Sequence, residues 1–456
     1  MKADKKSQGV DTPSRNELLK SLNLLRPEIF QSLHLHGNTK WLPHVLVGAA
    51  LAWVWSLEPT LGGRYDAGLS TLAGWFPQAF TATSYQGFIK ALMTWSPRLV
   101  KILRGVLQER MKALPSHWQA GKWTCFAVDG SKIELPWTKA HEAVFGMGAV
   151  KRKPRNRKRV DSANSQAHQE MRPQAYLTLA WHVGAGLPWA WRIGPVSASE
   201  RDTLREMLPL FPENALLAID AGFTGYALAR QILDGGRHFV MRVGSNVQLL
   251  KNLGYGVRTN GDTVYLWPHA MRKKQQPPLV LRLITFRTAT TTAHLLTDLT
   301  PEQLSDGNAV ELYKKRWGIE CFFRGFKQTF QRRKLLSAAP AQARCELDWS
   351  LIGLWLICLA AAEELIRSGE SPRQISVAKV IRAIRRVCGR SNSPQGEWRR
   401  SLRAAVKDTY KRRSSKAGRH AHRKKRHTPC GTPNILQATD EQRRDARQLP
   451  VLQHVA

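Results

Sequence analysis

The apolar residues of this chain change their period once, near Trp123, and that change limits what each part can become. From residue 14 to about 120 they recur at helical spacing, as in Leu18, Leu22, Leu25 and Ile29, then Phe88, Leu92, Leu99, Ile102 and Val106. Pro43, Pro59, Pro77 and Pro97 punctuate that pattern. Beyond it come short apolar or alternating runs separated by turn residues, which predict strands at Trp123–Val128, Ala175–Val183, Trp189–Ile193, Leu216–Ile219 and His238–Val243. Further strands are expected at Val264–Trp267, Val280–Phe286 and Ala293–Leu296, with helices at Ala198–Leu210 and Tyr226–Leu233 and a strong one from Gln303 to Phe330. Strands followed by strand–helix alternation indicate an α/β or α+β domain, a mixed sheet flanked by helices, here preceded by a helical part. The expected divisions are a helical N-terminal domain over 1–120, a sheet domain over 121–345, a helical region over 346–394 and a basic, disordered tail over 395–456. Leu69–Trp95 has the make-up of a helix-turn-helix, with a break at Trp75-Phe76-Pro77 and a second helix entered through Thr81–Ser84. A plain helical bundle fits the same residues.

Charge narrows the partner. Lys and Arg number 70 against 34 Asp and Glu, a net charge of +36 that repels itself in a compact chain and calls for a polyanion. DNA, RNA and acidic membrane surfaces all meet that requirement. Two segments concentrate the charge. Lys151–Arg159 holds seven basic residues in nine and is expected to be a solvated loop, and Arg399–His427 ends in His-Arg-Lys-Lys-Arg-His. Both are expected to meet phosphates without reading sequence, which leaves any sequence-reading contact to residues 1–120.

Two apolar stretches, Leu351–Ala362 and Leu42–Leu57, read as buried core helices: the first is 12 residues against the ~20 of a spanning helix, and the second is interrupted by His44. The polar start, Met-Lys-Ala-Asp-Lys-Lys, carries no signal-type segment. Six scattered cysteines without a Cys-x-x-Cys pair predict reduced thiols and a cytoplasmic setting, with neither disulfide framework nor structural zinc.

Three acids stand where a metal ion can be held. Asp129 follows Cys125-Phe126-Ala127-Val128 and precedes Gly130-Ser131, so it is expected to end a strand, although Asp-Gly is equally a hairpin-turn signal. Asp220 repeats the setting after Leu216-Leu217-Ala218-Ile219, at the carboxyl edge of a buried-type strand, where it also suits a helix cap. Glu320 belongs to the strong helix. At 100° per residue, Tyr313 and Lys327 fall within about 20° of it and Arg316 within about 40°. Leu312, Ile319, Phe323, Phe326 and Phe330 form the adjoining apolar stripe. An Arg316–Glu320 surface ion pair accounts for those two residues but not for Tyr313 and Lys327 on the same line.

The spacing Tyr313-x2-Arg316-x3-Glu320-x6-Lys327 resembles the Tyr-Arg-Glu-Lys signature of DDE transposases of bacterial insertion sequences. Val128-Asp129-Gly130-Ser131 and Ile219-Asp220-Ala221-Gly222-Phe223 resemble that family's first two acid motifs, and the likeness runs from about Trp123 to Leu336. It implies an RNase H-like fold with Asp129, Asp220 and Glu320 as the catalytic and metal-binding residues, holding two Mg2+ or Mn2+ ions. It implies nicking at element ends, attack by the freed 3′-hydroxyl and joining to target DNA. Double-stranded DNA is then the partner and a homodimer the synapsed state, in a bacterial, nucleoid-associated protein without a membrane or small-molecule substrate. Tyr313, Arg316 and Lys327 would grip phosphates beside the cut.

The 99 residues between Asp220 and Glu320 leave room for the β-rich insertion common in that family, here about 236–300. Some relatives stack a flipped base on a Trp of this insertion, and Trp267 is the candidate, with a core Trp as the other reading. Asp298 also ends an apolar run but lacks the third motif's neighbours. His420, His422, His427 and Cys430 match no usual zinc spacing. A structure-specific nuclease of the same fold and a DNA-binding protein without catalysis are the competing functions.

Overall fold

A buried helical layer comes first in the chain. The computed structural model describes residues 18, 24–36, 39–76, 84–114, 118–151, 169–256, 262–287, 292–388, 394, 396–407 and 431–450. Helix α1 (Pro43–Trp55) starts on a proline, whose missing N–H costs nothing in a first turn, and is buried along nearly its whole length. Helix α2 (Leu61–Trp75) is capped by Thr60, whose hydroxyl accepts the Gly63 N–H at 3.0 Å. Helix α3 (Tyr85–Lys112) is capped in the same way by Ser84, and it runs on through Pro97. Leu92, Leu99 and Leu103 hold that helix in the core on both sides of the proline. The turn of the expected helix-turn-helix, residues 77–83, lies outside the described residues.

The sheet follows in chain order: β1 (Thr124–Glu134), α4 (Lys139–Phe145), β2 (Met147–Lys151), β3 (Gln169–His182), β4 (Leu187–Pro195), α5 (Glu200–Met207), β5 (Ala215–Ile219), α6 (Tyr226–Asp234), β6 (His238–Val243), β7 (Gln248–Lys251), β8 (Thr263–Leu266), α7 (His269–Lys273), β9 (Leu279–Arg287) and β10 (Thr292–Thr297). After it come α8 (Asp306–Lys315), α9 (Gly318–Arg324), α10 (Pro340–Arg367), α11 (Val377–Cys388), α12 (Glu397–Arg403), β11 (Asn434–Gln437) and α13 (Asp440–Arg447). Eleven described strands join in the order β11-β7-β8-β9-β10-β6-β5-β1-β3-β2, with β4 paired to β3. The centre is parallel (β1 with β5, β5 with β6) and the flank β1-β3-β4 antiparallel, so the mixed α/β class agrees with the sequence pattern.

Four expectations change. First, β1 does not stop at Asp129: it continues to Glu134, and Asp129 pairs with Leu179 of β3. Pairing to β3 on one side carries the strand past the Asp-Gly pair, so no hairpin turn forms there. Second, the segment expected as an insertion supplies a central strand, because β6 lies inside it and β10 pairs along β6 to continue the same sheet. Third, the expected Gln303–Phe330 helix is broken: α8 ends at Lys315, α9 begins at Gly318, and a π turn covers Gly325–Thr329. Fourth, the tail expected to be disordered from 395 contains α12, β11 and α13. β11 pairs with β7, and Ala438 and Ala446 pack with Tyr265 and Trp267 in a small second core. Residues 152–159 of the first basic segment, 408–427 of the second, and His420, His422, His427 and Cys430 lie outside the described residues.

α10 is long and apolar enough to cross a membrane, yet it is packed inside the protein as the sequence predicts for its apolar run. Gly353 lets α1 approach closely, since a Cβ there would lie 2.9 Å from Val54 Cγ2 and 3.0 Å from Trp55 Nε1. Three buried indole N–H groups of this layer are answered: Trp55 donates to the Gly353 carbonyl, Trp349 to Ser96 Oγ and Trp355 to Met111 S. Each fully buried Leu, Ile or Phe contributes about 1.5–3 kcal/mol, and a layer this apolar offsets the self-repulsion of a cationic surface.

Candidate active site

The site is assembled by register. Parallel pairing sets Ala127 against Ala218, so two residues further on Asp129 and Asp220 come into line on the same face of the sheet. Asp220 stays extended (φ −86°, ψ 170°) one residue beyond β5 and begins a 3-10 turn over Ala221–Phe223. Its Oδ1 accepts the Ala221 N–H at 2.9 Å and the Tyr313 hydroxyl at 3.0 Å. Asp220 thus stands at the edge of β5, while the helix that follows, α6, has Gly225 and not Asp220 at its N-cap. Asp129 accepts the N–H of Gly130 at 2.8 Å.

Glu320 arrives on α9, anchored by buried Ile319, Phe322, Phe323 and Phe326, with Leu312 and Phe330 at either end. Arg316, just past the end of α8, is buried at 7 % exposure. One Arg316 Nη2 then lies 3.8 Å from Asp220 Oδ2 and 3.5 Å from Glu320 Oε1. Its guanidinium stands between the second and third acids and over the Tyr313 ring, and its buried Nε has no hydrogen-bond partner. Tyr313, Arg316 and Glu320 are thus brought to Asp220, although the helix that carries them is interrupted. Lys327, on the π turn, lies toward Glu134, Arg333 and Asp129.

Burial dominates the electrostatics. It pushes the Asp129 carboxyl up to about 6, against the opposing Gly130 hydrogen bond and the Arg316 charge, with Glu320 and Glu200 adding to the rise. Burial also raises Glu320, with Arg316 opposing and Asp220 reinforcing. The Tyr313 phenol is raised to about 12 by burial and by the Asp220 charge. Burial lowers the Lys327 amine, and Arg333 lowers it further, while Glu134 and Asp129 oppose.

The donor set consists of carboxylate oxygens, the chemistry that Mg2+ and Mn2+ prefer. Among the described residues no three His, Cys, Asp or Glu side chains are gathered around one point, because the Arg316 guanidinium stands between Asp220 and Glu320. The carboxylates of Asp129, Asp220 and Glu320 fit such an ion in kind.

Trp267 is not part of this arrangement. It is 5 % exposed, donates its indole N–H to the Gln276 carbonyl at 2.7 Å and packs with Tyr265 and Val280, so the core reading replaces that of a base platform. Asp298 is equally occupied: buried, it bonds the His238 ring at 2.5 Å and accepts the Phe239 N–H at 3.1 Å. Sequence reasoning missed three neighbours of the site. Arg242 of β6 reaches the Tyr313 hydroxyl, and Tyr176 of β3 donates to Glu200 at the start of α5. The Ser199 cap that opens α5 was the available signal for Glu200, since acids favour a first helical turn.

A family model described as a transposase DDE domain matches residues 122–356. Among curated proteins, the transposase InsG for insertion sequence element IS4 of Escherichia coli (strain K12) is 26% identical over 278 residues. That alignment spans 58% of this chain and 58% of the relative's own length. Among solved structures, a piggyBac transposase synaptic complex with hairpin DNA covers 86% of this chain and 84% of its own, at 10% identity and a TM-score of 0.40.

Proposed function

The chain belongs to the family of transposase DDE domains, and from that premise we propose that it is the transposase of an insertion sequence. It cuts DNA at the element's ends and joins the freed 3′-hydroxyl to target DNA. The observation that carries this reading is the meeting of Asp220, Tyr313, Arg316 and Glu320, residues from two motifs 93 or more positions apart in the chain, beside Asp129. An ordinary surface helix has no reason to bury an arginine between two half-exposed acids.

Asp129, Asp220 and Glu320 would hold divalent cations, two Mg2+ or Mn2+ ions in the reading preferred here. When bound, these supply a nucleophilic water or 3′-hydroxyl and offset charge on the leaving oxygen. The chain's own residues do the rest. Arg316 holds Asp220 and Glu320 only at 3.5–3.8 Å, and its Nε is free to donate. A phosphate oxygen beside it would receive a shorter, charge-assisted bond, which releases the two acids for the cations. Tyr313 keeps the Asp220 carboxylate turned toward the site through its hydroxyl. Lys327 adds a point charge on the side of Asp129. The net charge of +36 supports a DNA duplex as partner, and two ends brought together call for two copies of the chain. A bacterial cytoplasm, at the nucleoid, is the setting this activity requires.

The test uses the full chain, Mg2+ and a duplex carrying the DNA that flanks its own gene. Nicks at inverted repeats followed by joined products are expected. Cutting at junctions or flaps without end preference or joining would make the protein a nuclease, and binding without any cutting would make it a non-catalytic DNA-binding protein.

A further inference from the structure

Both strand acids are followed by a glycine against which one hydrogen-bonded pair of side chains packs closely. A Cβ on Gly130, next to Asp129, would overlap the ring of Tyr176. A Cβ on Gly222, two residues after Asp220, would lie 3.1 Å from Glu200 Oε2. The Tyr176 hydroxyl donates to Glu200 Oε1. Tyr176 faces Lys132 across the β1–β3 ladder, one pleat along from Gly130, so its ring lies along the face opposite Asp129. Glu200 opens α5, whose Ser199 cap accepts the Asp202 N–H at 3.3 Å. The next residue, Arg201, donates from Nε to the Gly222 carbonyl at 3.0 Å. The first turn of α5 therefore holds the loop that carries Asp220, and through Tyr176 it leans on the strand that carries Asp129.

We propose that Tyr176 and Glu200 are positioning residues of the reaction centre, a strut that fixes the second acid's loop against the first acid's strand. The assignment rests on the reading of Asp129 and Asp220 as the metal-holding acids. Parallel pairing between β1 and β5 ends at Ala127 and Ala218, so no backbone hydrogen bond between those strands spans the acids themselves. The Tyr176–Glu200 bond and the Arg201 contact span that gap from behind the sheet. Loss of a supporting contact around metal-holding groups commonly costs 10–100-fold in metal affinity or activity, because the ligands lose their fixed separation.

Four variants of the full chain test this: Tyr176→Phe, Glu200→Ala, Glu200→Gln and, as a control on the same helix, Asp202→Asn. Asp202 pairs with Arg205 on the exposed side of α5. Two quantities are read: Mn2+ affinity by electron paramagnetic resonance on the protein–DNA complex, and end cleavage as a function of Mg2+ concentration. Tyr176→Phe and Glu200→Ala should weaken Mn2+ binding and shift the Mg2+ midpoint upward by roughly 10-fold or more, with DNA affinity unchanged. Glu200→Gln keeps an oxygen that accepts the Tyr176 hydroxyl and should recover most of the loss; Asp202→Asn should match the wild type. The proposal is overturned if Tyr176→Phe and Glu200→Ala match the wild type in both readouts. It is equally overturned if their losses simply follow a lowered melting temperature, or if Glu200→Gln is as impaired as Glu200→Ala. Asp129→Asn separates this outcome from failure of the underlying reading. If it too leaves Mn2+ binding intact, the acids do not hold the metal and the strut has nothing to position. A wild type that binds Mn2+ through Asp129 but neither cuts nor joins would sink the transposase reading and leave the strut standing.

Discussion

Two clusters of opposite charges lie within this protein, and they are bonded in opposite ways. Behind the site, Glu346 is fully buried and accepts from Arg64 at 3.1 Å, from the Leu336 and Ser337 N–H groups at 3.1 Å each and from the Ser337 hydroxyl at 2.8 Å. Nearby Arg332 donates to Ser350 Oγ, the Phe330 carbonyl and the Val54 carbonyl at 2.7–2.9 Å. At the site, Arg316 reaches two half-exposed acids only at 3.5 and 3.8 Å and leaves Nε without a partner. The first cluster is saturated and joins the N-terminal helices to the chain that leaves the catalytic helix. The second is loose, and a loosely bonded cluster can exchange partners. A fully satisfied buried polar network rigidifies what it joins, whereas a partly satisfied one is free to take a new partner.

The largest expected effect falls on the saturated cluster. Glu346→Ala leaves Arg64 buried without its partner and should destabilise the protein by about 3–5 kcal/mol in denaturant unfolding. A value as small as that of a surface ion pair would erase the contrast. Next comes Arg316→Lys, which keeps the charge but loses the planar fork. Cleavage should fall about 10–100-fold, or roughly 1.4–2.7 kcal/mol, with unfolding nearly unchanged. A loss of stability comparable to that of Glu346→Ala would show that the two clusters play the same part.

Asp129 sharpens the same point through pH. Its carboxyl is raised to about 6 by burial, so the folded state binds more protons than the unfolded state between the ordinary carboxylate value of 3.8 and about 6. Stability therefore declines as pH rises through that window, and the full cost is present above it. Asp129→Asn should remove that cost, stabilising the metal-free protein by about 1–2 kcal/mol at pH 7.5 and by nothing at pH 4. Destabilisation at pH 7.5 would show that the charged carboxylate supports the fold. The smallest effect belongs to Tyr313→Phe, which removes one hydrogen bond to Asp220 and should slow cleavage several-fold, about 1 kcal/mol.

Much of this was legible in the sequence because periodicity reports burial. The strands at 215–219 and 238–243 and the helix at 226–234 lie within one residue of where apolar alternation put them. Of the candidate site residues, Asp220, Tyr313, Arg316 and Glu320 lie together with Asp129 beside them, while Trp267 is a core residue. What stayed hidden depends on contacts distant in sequence. Pairing with β3 carries β1 past Asp-Gly, which local turn propensity does not reveal. The break at Arg316-Trp317 directly precedes Gly318, a weak helix former whose signal the helical periodicity around it masked. β11 is four residues long with only Ile435 and Leu436 apolar, so it is defined by its partner β7. The Thr439–Gln442 capping box beyond it was readable and marks α13.

Glu320→Gln addresses the central claim most directly. The variant keeps the size and hydrogen-bonding reach of the side chain and removes the charge that the third acid contributes. Measured on a duplex bearing the element's own ends, with Mg2+ present, it should bind as tightly as the wild type and give neither nicked nor joined product. Cleavage at the wild-type rate would contradict the account, because the helix, its aromatic anchor and the Arg316 contact would then have brought Glu320 to the acids without a part in the chemistry.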